Sequence, residues 1–515
     1  MSNLQDYIFA PSPEDESVWT RKCYGLESFA STMSENLDGF PFLTTTVSIK
    51  PAYDRAALEP ALKAAWIALR HYLPAIAVKS ARLPAPDNRF FLAYHAPKSV
   101  GEVETWANET LIFLDKMEDA YATHKKLKDE RWWKPANGHW VGELYASPTE
   151  NGWQLSVVFN HNSNDGRSGF GVLNELLTKL VPALEGSAKP VSELPWGKEV
   201  NRLPTASNVI NAKAGAYPKK EQAPSATPEL SPWTWPPAEV SPSTPHDLSA
   251  LVILPVETTS NLHSACKAHG RTVSQVVTAF SILAHAEVSL AKAAKAGPER
   301  FNTVSKSYKE SDVYKIVFTF TNYRHKFPEN YRTLSSETPG PLSTFDGMPL
   351  SLPMDPVRKF FTIDDASSTA SVRQNADKDL DSAFWDGLVE ATANSWKEHD
   401  ISLEGFATRE ESSQGIIHNF PKNILHVPAL ITSSIGDLGR LNIFDAYLPS
   451  KNNGTLTVVD AICGQRMRVP AIMNLFWQYD GKLSCQWFTG GEWTTEEELQ
   501  QVVDAFRRWI RVFIR

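Results

Sequence analysis

The sequence is poor in cysteine and has neither a zinc-type nor a disulfide-type cysteine pattern. Its only cysteines are Cys23, Cys266, Cys463 and Cys485, and no two of them form a Cys-x-x-Cys pair. This spacing excludes a disulfide framework and gives no zinc ligand set, so no metal site is expected. We expect four reduced thiols that are buried as small apolar groups.

Clustered positive charge and long apolar runs are also missing. The chain has 51 basic and 59 acidic residues, a formal net charge of −8 at pH 7. A net-acidic chain without a Lys/Arg tract is a poor nucleic-acid binder. Residues 1–6 lack the basic and apolar regions of a secretory signal, and no run approaches the roughly 20 apolar residues that span a bilayer. We expect a cytoplasmic protein with neither nucleic acid nor membrane as partner.

The length of the chain and one proline-rich stretch predict two domains. A chain of 515 residues exceeds the roughly 250–300 residues at which single cores stop growing. Prolines crowd residues 186–247, where they exclude a continuous helix or a central strand. We predict an N-terminal half at 1–185, a crossover linker at 186–247 and a C-terminal half at 248–515. Trp233 and Trp235 are expected to fasten the linker to the protein surface.

Helical and strand patterns are interleaved in both halves. Asp54 precedes an apolar stripe with a period of 3.6 residues, which predicts a helix. The Asn-Gly dipeptide at 151–152 separates two apolar runs and predicts a β-hairpin. Val273 begins another helical stripe, and Thr495 begins a capping box before a C-terminal helix. The pattern predicts an α/β (mixed α+β) protein.

One polar loop has the residue types required for proton transfer. His161 follows a predicted strand, and Asp165 and Gly166 come just before a predicted helix. A strand end holds a side chain rigidly, and a neutral imidazole can accept a proton from an alcohol near neutral pH. Among the 13 histidines, only His161 has an aspartate four residues later. We interpret His161 as a catalytic base; the alternative is a histidine that only stabilises a turn.

The segment His-Asn-Ser-Asn-Asp-Gly at 161–166 resembles the HxxxDG signature of the CoA-dependent acyltransferase superfamily. That superfamily includes plant BAHD acyltransferases, chloramphenicol acetyltransferase, carnitine acyltransferases and peptide-synthetase condensation domains. Within it, the chain most resembles fungal trichothecene 15-O-acetyltransferases, with further similarity at 19–21, 39–45 and 434–436. Condensation domains usually carry a second histidine where this chain has Asn160, which disfavours that branch.

The resemblance implies a fold and a set of roles. It implies two similar chloramphenicol-acetyltransferase-like domains with mixed sheets and an active-site tunnel at their interface. His161 would be the catalytic base, while Asp165, Gly166 and an Arg324 partner would support the motif loop. Ser434 would contact the oxyanion or the substrate. For Arg324 an ordinary surface arginine is the alternative, and for Ser434 an ordinary turn residue.

The implied activity is that of an O-acetyltransferase. Acetyl-CoA would be the cosubstrate and no metal would be required. The acceptor would be a sesquiterpenoid alcohol, the C-15 hydroxyl of a trichothecene in mycotoxin biosynthesis, and transfer would be direct, through a ternary complex. The family is mostly monomeric, which implies a monomer. Two alternatives remain: a fungal secondary-metabolite acyltransferase with another acceptor or donor, and a non-catalytic member of the fold.

Overall fold

A computed structural model describes residues 3–84, 87–219, 232–233, 246–332, 343–373, 378–416, 429–451 and 454–514. The strands are β1 (Ala10–Pro11), β2 (Val18–Lys22), β3 (Leu43–Lys50), β4 (Val78–Arg82), β5 (Phe90–His95), β6 (Leu111–Phe113), β7 (Asn137–Trp140), β8 (Gly142–Thr149), β9 (Gly152–Phe159), β10 (Pro232–Trp233), β11 (Asp247–Leu254), β12 (Val313–Asn322), β13 (Phe345–Pro353), β14 (Phe361–Asp364), β15 (Thr369–Val372), β16 (Ala429–Asp437), β17 (Thr457–Gln465), β18 (Ala471–Tyr479) and β19 (Lys482–Gly490).

The helices are interspersed with these strands along the chain, singly or in succession. They are α1 (Leu26–Asn36), α2 (Arg55–Tyr72), α3 (Val100–Thr110), α4 (Ala120–Glu130), α5 (Gly166–Leu184), α6 (Ser207–Lys213), α7 (Val256–Ala268), α8 (Val273–Lys295), α9 (Pro298–Glu310), α10 (Met354–Arg358), α11 (Lys378–Ser382), α12 (Glu390–Lys397), α13 (Leu403–Ile416) and α14 (Glu496–Phe513). A π-helical segment, Ala383–Val389, joins α11 to α12.

The first sheet is antiparallel and the second and third are mixed, which confirms the predicted α/β fold class. Sheet order is β1-β2-β5-β4-β7 in the first sheet, β17-β3-β9-β8-β6 in the second and β10-β12-β16-β18-β19-β11 in the third, where β13 also pairs with β12. The β12–β16 and β16–β18 pairs are parallel, whereas β8–β9 and β18–β19 are antiparallel. Helix α5 packs against α2 above the second sheet, and α8 packs against α14 beside the third.

Local sequence signals account for several of these elements. The extended Asp54 precedes α2, and the apolar stripe of that helix is buried. The hairpin predicted at 151–152 is present, with Thr149 opposite Gly152. At the start of α14, Thr495 Oγ1 accepts the Glu498 amide and the Glu498 carboxylate accepts the Thr495 amide, which completes the predicted capping box. All four cysteines are free and buried, as expected.

Helix α8 is the one helix in the described ranges that is long and apolar enough to cross a membrane. Its most apolar 18-residue window has a mean hydropathy of 1.3, and 78% of that window is buried inside the protein. Helices enclosed by a protein core have the same composition, because all of their faces are covered by apolar neighbours. Burial in the core therefore accounts for the composition of α8.

The order of the chain does not predict which strands share a sheet. Strand β17 lies late in the sequence, yet it pairs antiparallel with β3, with Cys463 opposite Thr45. The second sheet thus contains strands from both ends of the chain. The domain boundaries at 185 and 247 stay a prediction.

Only part of the proline-rich segment lies within the described residues. It contains the seven-residue helix α6 and the short strand β10, which pairs parallel with β12. Trp233 of β10 is only 1% exposed, and its ring contacts Tyr308 edge to face at 5.5 Å. The structure therefore places Trp233 inside the C-terminal core and not on the surface, whereas Trp235 lies outside the described residues. An indole ring with apolar neighbours is more stable buried than on a surface.

A buried cluster of charges joins three distant segments. Asp247 at the start of β11 accepts Lys128 Nζ of α4 at 2.8 Å and the Met467 amide at 3.0 Å. It also pairs with Arg468, and Arg468 Nη2 in turn lies 2.9 Å from the carboxylate of Asp129. The side chains of Lys128, Asp247 and Arg468 are between 1% and 4% exposed. The cluster links α4, β11 and the β17–β18 connection.

We expect Asp247→Asn to destabilise the protein strongly. The amide keeps the shape of the side chain but removes the negative charge between two buried cations, a loss of about 3–5 kcal/mol. Urea unfolding followed by circular dichroism measures the change. Asp445→Asn is the control, since its pair with Lys451 is 39% and 55% exposed and contributes at most about 1 kcal/mol. Equal, small effects of both substitutions would contradict the assignment.

Candidate active site

The motif loop leaves β9 as a tight turn in which the side chains of Asn160 and Asn162 form hydrogen bonds inside the protein. Asn160 Oδ1 accepts the Asn162 amide at 3.0 Å, and the Asn160 carbonyl accepts the Ser163 amide at 3.1 Å. Asn162 Nδ2 donates to Ser31 of α1 and to Ser80 of β4, each at 3.0 Å. The loop is therefore fixed to two elements of the N-terminal half.

Asp165 ends the loop and caps α5. Its Oδ1 accepts the Ser168 amide at 2.9 Å, which satisfies a donor in the first turn of that helix. Its Oδ2 lies 2.8 Å from Arg324 Nη2, just beyond β12, and accepts the Thr344 amide at 3.1 Å. Arg324 Nη2 also donates to Ser168 Oγ at 2.6 Å. The carboxylate thus joins the motif to a strand and a loop of the C-terminal half.

The charge of Asp165 is maintained despite its burial. Burial alone would raise the pKa of the carboxyl, but the Arg324 charge and the Ser168 and Thr344 amides lower it below its usual range. The pair is nearly dry, with 11% of the Arg324 side chain and 7% of the Asp165 side chain exposed. In such a setting both partners are required, because either one alone would be an uncompensated charge.

His161 is buried at the end of β9 and is held in its neutral form. Burial lowers the pKa of its imidazole to about 4, although the Asp165 charge and backbone hydrogen bonds at His161 and Asn164 act in the opposite direction. A neutral imidazole keeps a nitrogen lone pair that can accept a proton. An imidazole in this position can therefore accept a proton over the whole neutral pH range.

Two glycines of the motif allow close packing. A Cβ atom at Gly169 would lie 2.3 Å from Thr45 Oγ1, so only glycine lets α5 approach β3 this closely. At Gly166 a Cβ would lie 3.2 Å from Ile435 Cδ1 and 3.3 Å from Cys463 Sγ. The helix start thus fits against β16 and β17 of the C-terminal part of the chain.

His161 lines a cavity between the N-terminal and C-terminal parts of the chain. Its walls combine motif residues with the ends of several strands, namely Leu43, Asp165, Gly166, Arg167, Phe320, Thr321, Asn322, Ser433, Ser434, Ile435, Gln465, Met473 and Leu475. We name this space the histidine cavity. Of the site residues predicted from sequence, His161, Asp165, Gly166 and Ser434 line it, and Arg324 contacts it through Asp165.

Ser434 lines both this cavity and a second, larger one, so the two cavities are neighbours. Lys267, Arg271 and Arg440 contribute positive charge to the walls of the second cavity. We name it the basic cavity. Arg271 is ion-paired with Glu390, and Arg440 lies 3.6 Å from Asp437, so Lys267 is the cation of this wall without an ion pair in the described part of the chain.

An irregularity in β16 lies beside Ser434, at the junction of the two cavities. Ser434 is opposite Phe476 and Gly436 is opposite Trp477, so Ile435 is an extra residue in the pairing with β18. Such a β-bulge re-aims neighbouring side chains and is frequent beside active sites. Here the Ile435 carbonyl faces α5 and accepts Arg167 Nη2 at 3.0 Å.

Several residues of the site carry no individual signal in the sequence. Thr344 contributes only its amide, and Gln465, Met473 and Leu475 are ordinary strand residues. Arg167 comes two residues after Asp165, and this closeness to the motif is the one feature of the sequence that could have indicated it as a site residue. Within the described ranges, no group of three His, Cys, Asp or Glu side chains is placed to hold a metal ion.

No family model and no curated protein sequence matches the chain. Solved structures do match. The trichothecene 15-O-acetyltransferase of Fusarium sporotrichioides has a TM-score of 0.74 at 13% identity, over 100% of this chain and 98% of that one. The first condensation domain of the calcium-dependent antibiotic synthetase has a TM-score of 0.54 at 14% identity, over 96% of each chain. Polyketide synthase associated protein 5 of Mycobacterium tuberculosis has a TM-score of 0.53 at 13% identity, over 95% of this chain and 98% of that one. The chain therefore shares the mixed α/β fold of these solved structures.

We expect Asp165→Asn to reduce both stability and turnover. The neutral amide leaves the Arg324 guanidinium buried without its counter-charge, a loss of about 3–5 kcal/mol, and frees the loop that holds His161. Urea unfolding measures the stability, and the rate of the reaction proposed below measures the turnover. Arg324→Gln is the reciprocal variant, and the double variant should lose less stability than the sum of the single losses. Full stability and full turnover of Asp165→Asn would refute the assignment.

Proposed function

We propose that the protein is an acetyl-CoA-dependent O-acetyltransferase that acts in the cytoplasm as a monomer. Its acceptor is a sesquiterpenoid alcohol, namely the C-15 hydroxyl of a trichothecene, and the product belongs to mycotoxin biosynthesis. One observation carries the proposal. A buried, neutral His161 faces a cavity that adjoins a larger cavity with basic walls, as transfer between two substrates requires. The fold shared with the Fusarium 15-O-acetyltransferase supports the choice of reaction.

The basic cavity is the proposed path of acetyl-CoA. Lys267, Arg271 and Arg440 offer cations to its phosphate groups, and Lys267 is available in full because it forms no ion pair among the described residues. The thioester would then lie at Ser434, which lines both cavities. Cationic side chains along an entrance also increase the rate at which an anionic substrate binds.

The histidine cavity is the proposed acceptor site. Leu43, Phe320, Met473 and Leu475 give it apolar walls, while Asn322 and Gln465 offer hydrogen bonds. A rigid terpenoid skeleton with a few hydroxyls needs this combination of apolar surface and isolated polar contacts.

His161 accepts the proton of the acceptor hydroxyl as its oxygen attacks the thioester carbon. The electron pair of the carbonyl moves onto oxygen and gives a tetrahedral oxyanion, which the Ser434 hydroxyl is placed to contact at the cavity junction. When the carbon–sulfur bond breaks, the CoA thiolate takes the proton from the imidazolium. Asp165 and Arg324 act through the loop: they position His161 and do not touch the substrate.

A product analysis tests the proposed function. Purified protein is incubated with acetyl-CoA and a panel of trichothecene alcohols, and the products are identified by mass spectrometry. We expect a monoacetylated product from an alcohol with a free C-15 hydroxyl.

The substitution His161→Ala should lower kcat by about 10²–10⁴-fold with little loss of stability, because it removes the proton acceptor. A folded His161→Ala protein within about threefold of wild type would overturn the mechanism.

The pH profile of the wild-type enzyme tests the state of His161. Protonation removes its lone pair, so kcat/KM should fall as the pH decreases through the pKa of the free enzyme. Since burial lowers that pKa from 6.5 to about 4, activity should remain near its plateau at pH 6 and decline only below about pH 5. Rates at pH 7 after exposure to each pH serve as the control for denaturation. A decline centred between pH 6 and 7 would show an imidazole that is solvated.

A further inference from the structure

Arg167 lies inside the histidine cavity, where it has few partners. It occupies the second position of α5 and is half-buried. Only its Nη2 is bonded, to the Ile435 carbonyl at 3.0 Å, and its Nε is buried with no hydrogen-bond partner in the described part of the chain. No carboxylate among the described residues forms an ion pair with it: the nearby Asp165 attracts it but is itself paired with Arg324. Within the described part of the chain, the cavity therefore contains a guanidinium without an ion-pair partner of its own.

The position of Arg167 is electrostatically unfavourable in three respects. The first turn of a helix carries the positive end of the helix dipole, which repels a cation. Burial removes water from the guanidinium, and the charge of Arg324 is close enough that both effects lower the pKa of Arg167. Residues that oppose local stability in this way are concentrated at functional sites.

The charge balance of the cavity identifies the kind of ligand group that Arg167 suits. Two guanidiniums, Arg167 and Arg324, face one carboxylate, Asp165, so this part of the site has an excess of one positive charge. Acetyl-CoA is neutral at its thioester and the alcohol is neutral, but the carbonyl oxygen becomes negative during transfer. That oxygen forms at the junction marked by Ser434, and Arg167 is bonded to the next residue of the bulge.

We propose that Arg167 is a catalytic residue that stabilises the oxyanion of the tetrahedral intermediate, together with the Ser434 hydroxyl. As the alcohol oxygen bonds to the thioester carbon, the carbonyl pair moves to oxygen, and the new charge lies beside the guanidinium. When the carbon–sulfur bond breaks, the pair returns and Arg167 regains its unneutralised state. The inference rests on the proposed acyl transfer at His161, but not on the identity of the alcohol.

Substitutions at Arg167 with a chemical rescue test this role. Arg167→Gln should lower kcat by about 10²–10³-fold, the usual effect of losing one oxyanion donor, while the Kd of acetyl-CoA stays within about threefold. Arg167→Lys retains the charge and should be less impaired. In Arg167→Ala, added guanidinium chloride at millimolar concentration should raise kcat, whereas urea should not. Urea has the same planar shape and can donate to the Ile435 carbonyl, but it carries no charge.

The control is Lys326→Gln. This substitution removes a cation that lies just beyond β12 and has no role in the site, so kcat should match that of wild type.

Three results would each overturn the proposal. The first is kcat of Arg167→Gln within about threefold of wild type. The second is an equal increase in the kcat of Arg167→Ala with urea and with guanidinium, which would show that Arg167 only stabilises the bulge at Ile435. The third is a rise in KM alone, confined to substrates that carry a carboxylate, which would make Arg167 a recognition residue. If wild type transfers no acetyl group to any alcohol, the proposed function fails first.

Discussion

The site depends on one carboxylate, that of Asp165, which three segments of the chain share. It accepts the Ser168 amide at the start of α5, the Thr344 amide before β13 and the Arg324 guanidinium after β12. The first contact fixes the helix that follows the histidine, and the other two join this helix to the C-terminal half. Because the pair is almost dry, its geometry is specific and the loss of either partner is costly. Asp165 therefore positions His161 and also holds the two walls of the cavity together.

Burial gives His161 its chemistry. In water an imidazole would be partly protonated near pH 6.5, but the enclosed end of β9 disfavours the charged form. The nearby Asp165 does not reverse this effect, because its charge is already compensated by Arg324. The structure thus separates two acid–base states a few residues apart, a neutral base and an ionised carboxylate. Arg167 adds a positive charge on the same side of the cavity, where negative charge forms during the proposed reaction.

The C-terminal part of the chain shapes the cavity by two irregular features. Strand β17 crosses to the sheet of β3 and β9, which brings Gln465 beside His161. The bulge at Ile435 in β16 places Ser434 between the two cavities and turns a backbone carbonyl toward Arg167. The charge cluster around Asp247 holds the β17–β18 connection against α4 and β11. The end of the crossing strand is therefore held by contacts that are buried from solvent.

The sequence by itself determined the mixed α/β class, several helices and the hairpin that leads to His161, because local periodicity and capping residues act over a few neighbours. It also singled out the HxxxDG loop, since His161, Asp165 and Gly166 are adjacent in the chain. The family resemblance indicated Arg324 as a partner of the motif, and the structure places it on Asp165. Tertiary structure alone decided that Thr344 meets Asp165, that β17 joins an N-terminal sheet, and that Trp233 lies in a core. These contacts join residues more than 70 positions apart, and no local pattern encodes such pairings. Their formation depends on burial and on the matching of charges in the folded chain, which leaves Arg167 as the cation without a counter-charge among the described residues of the histidine cavity.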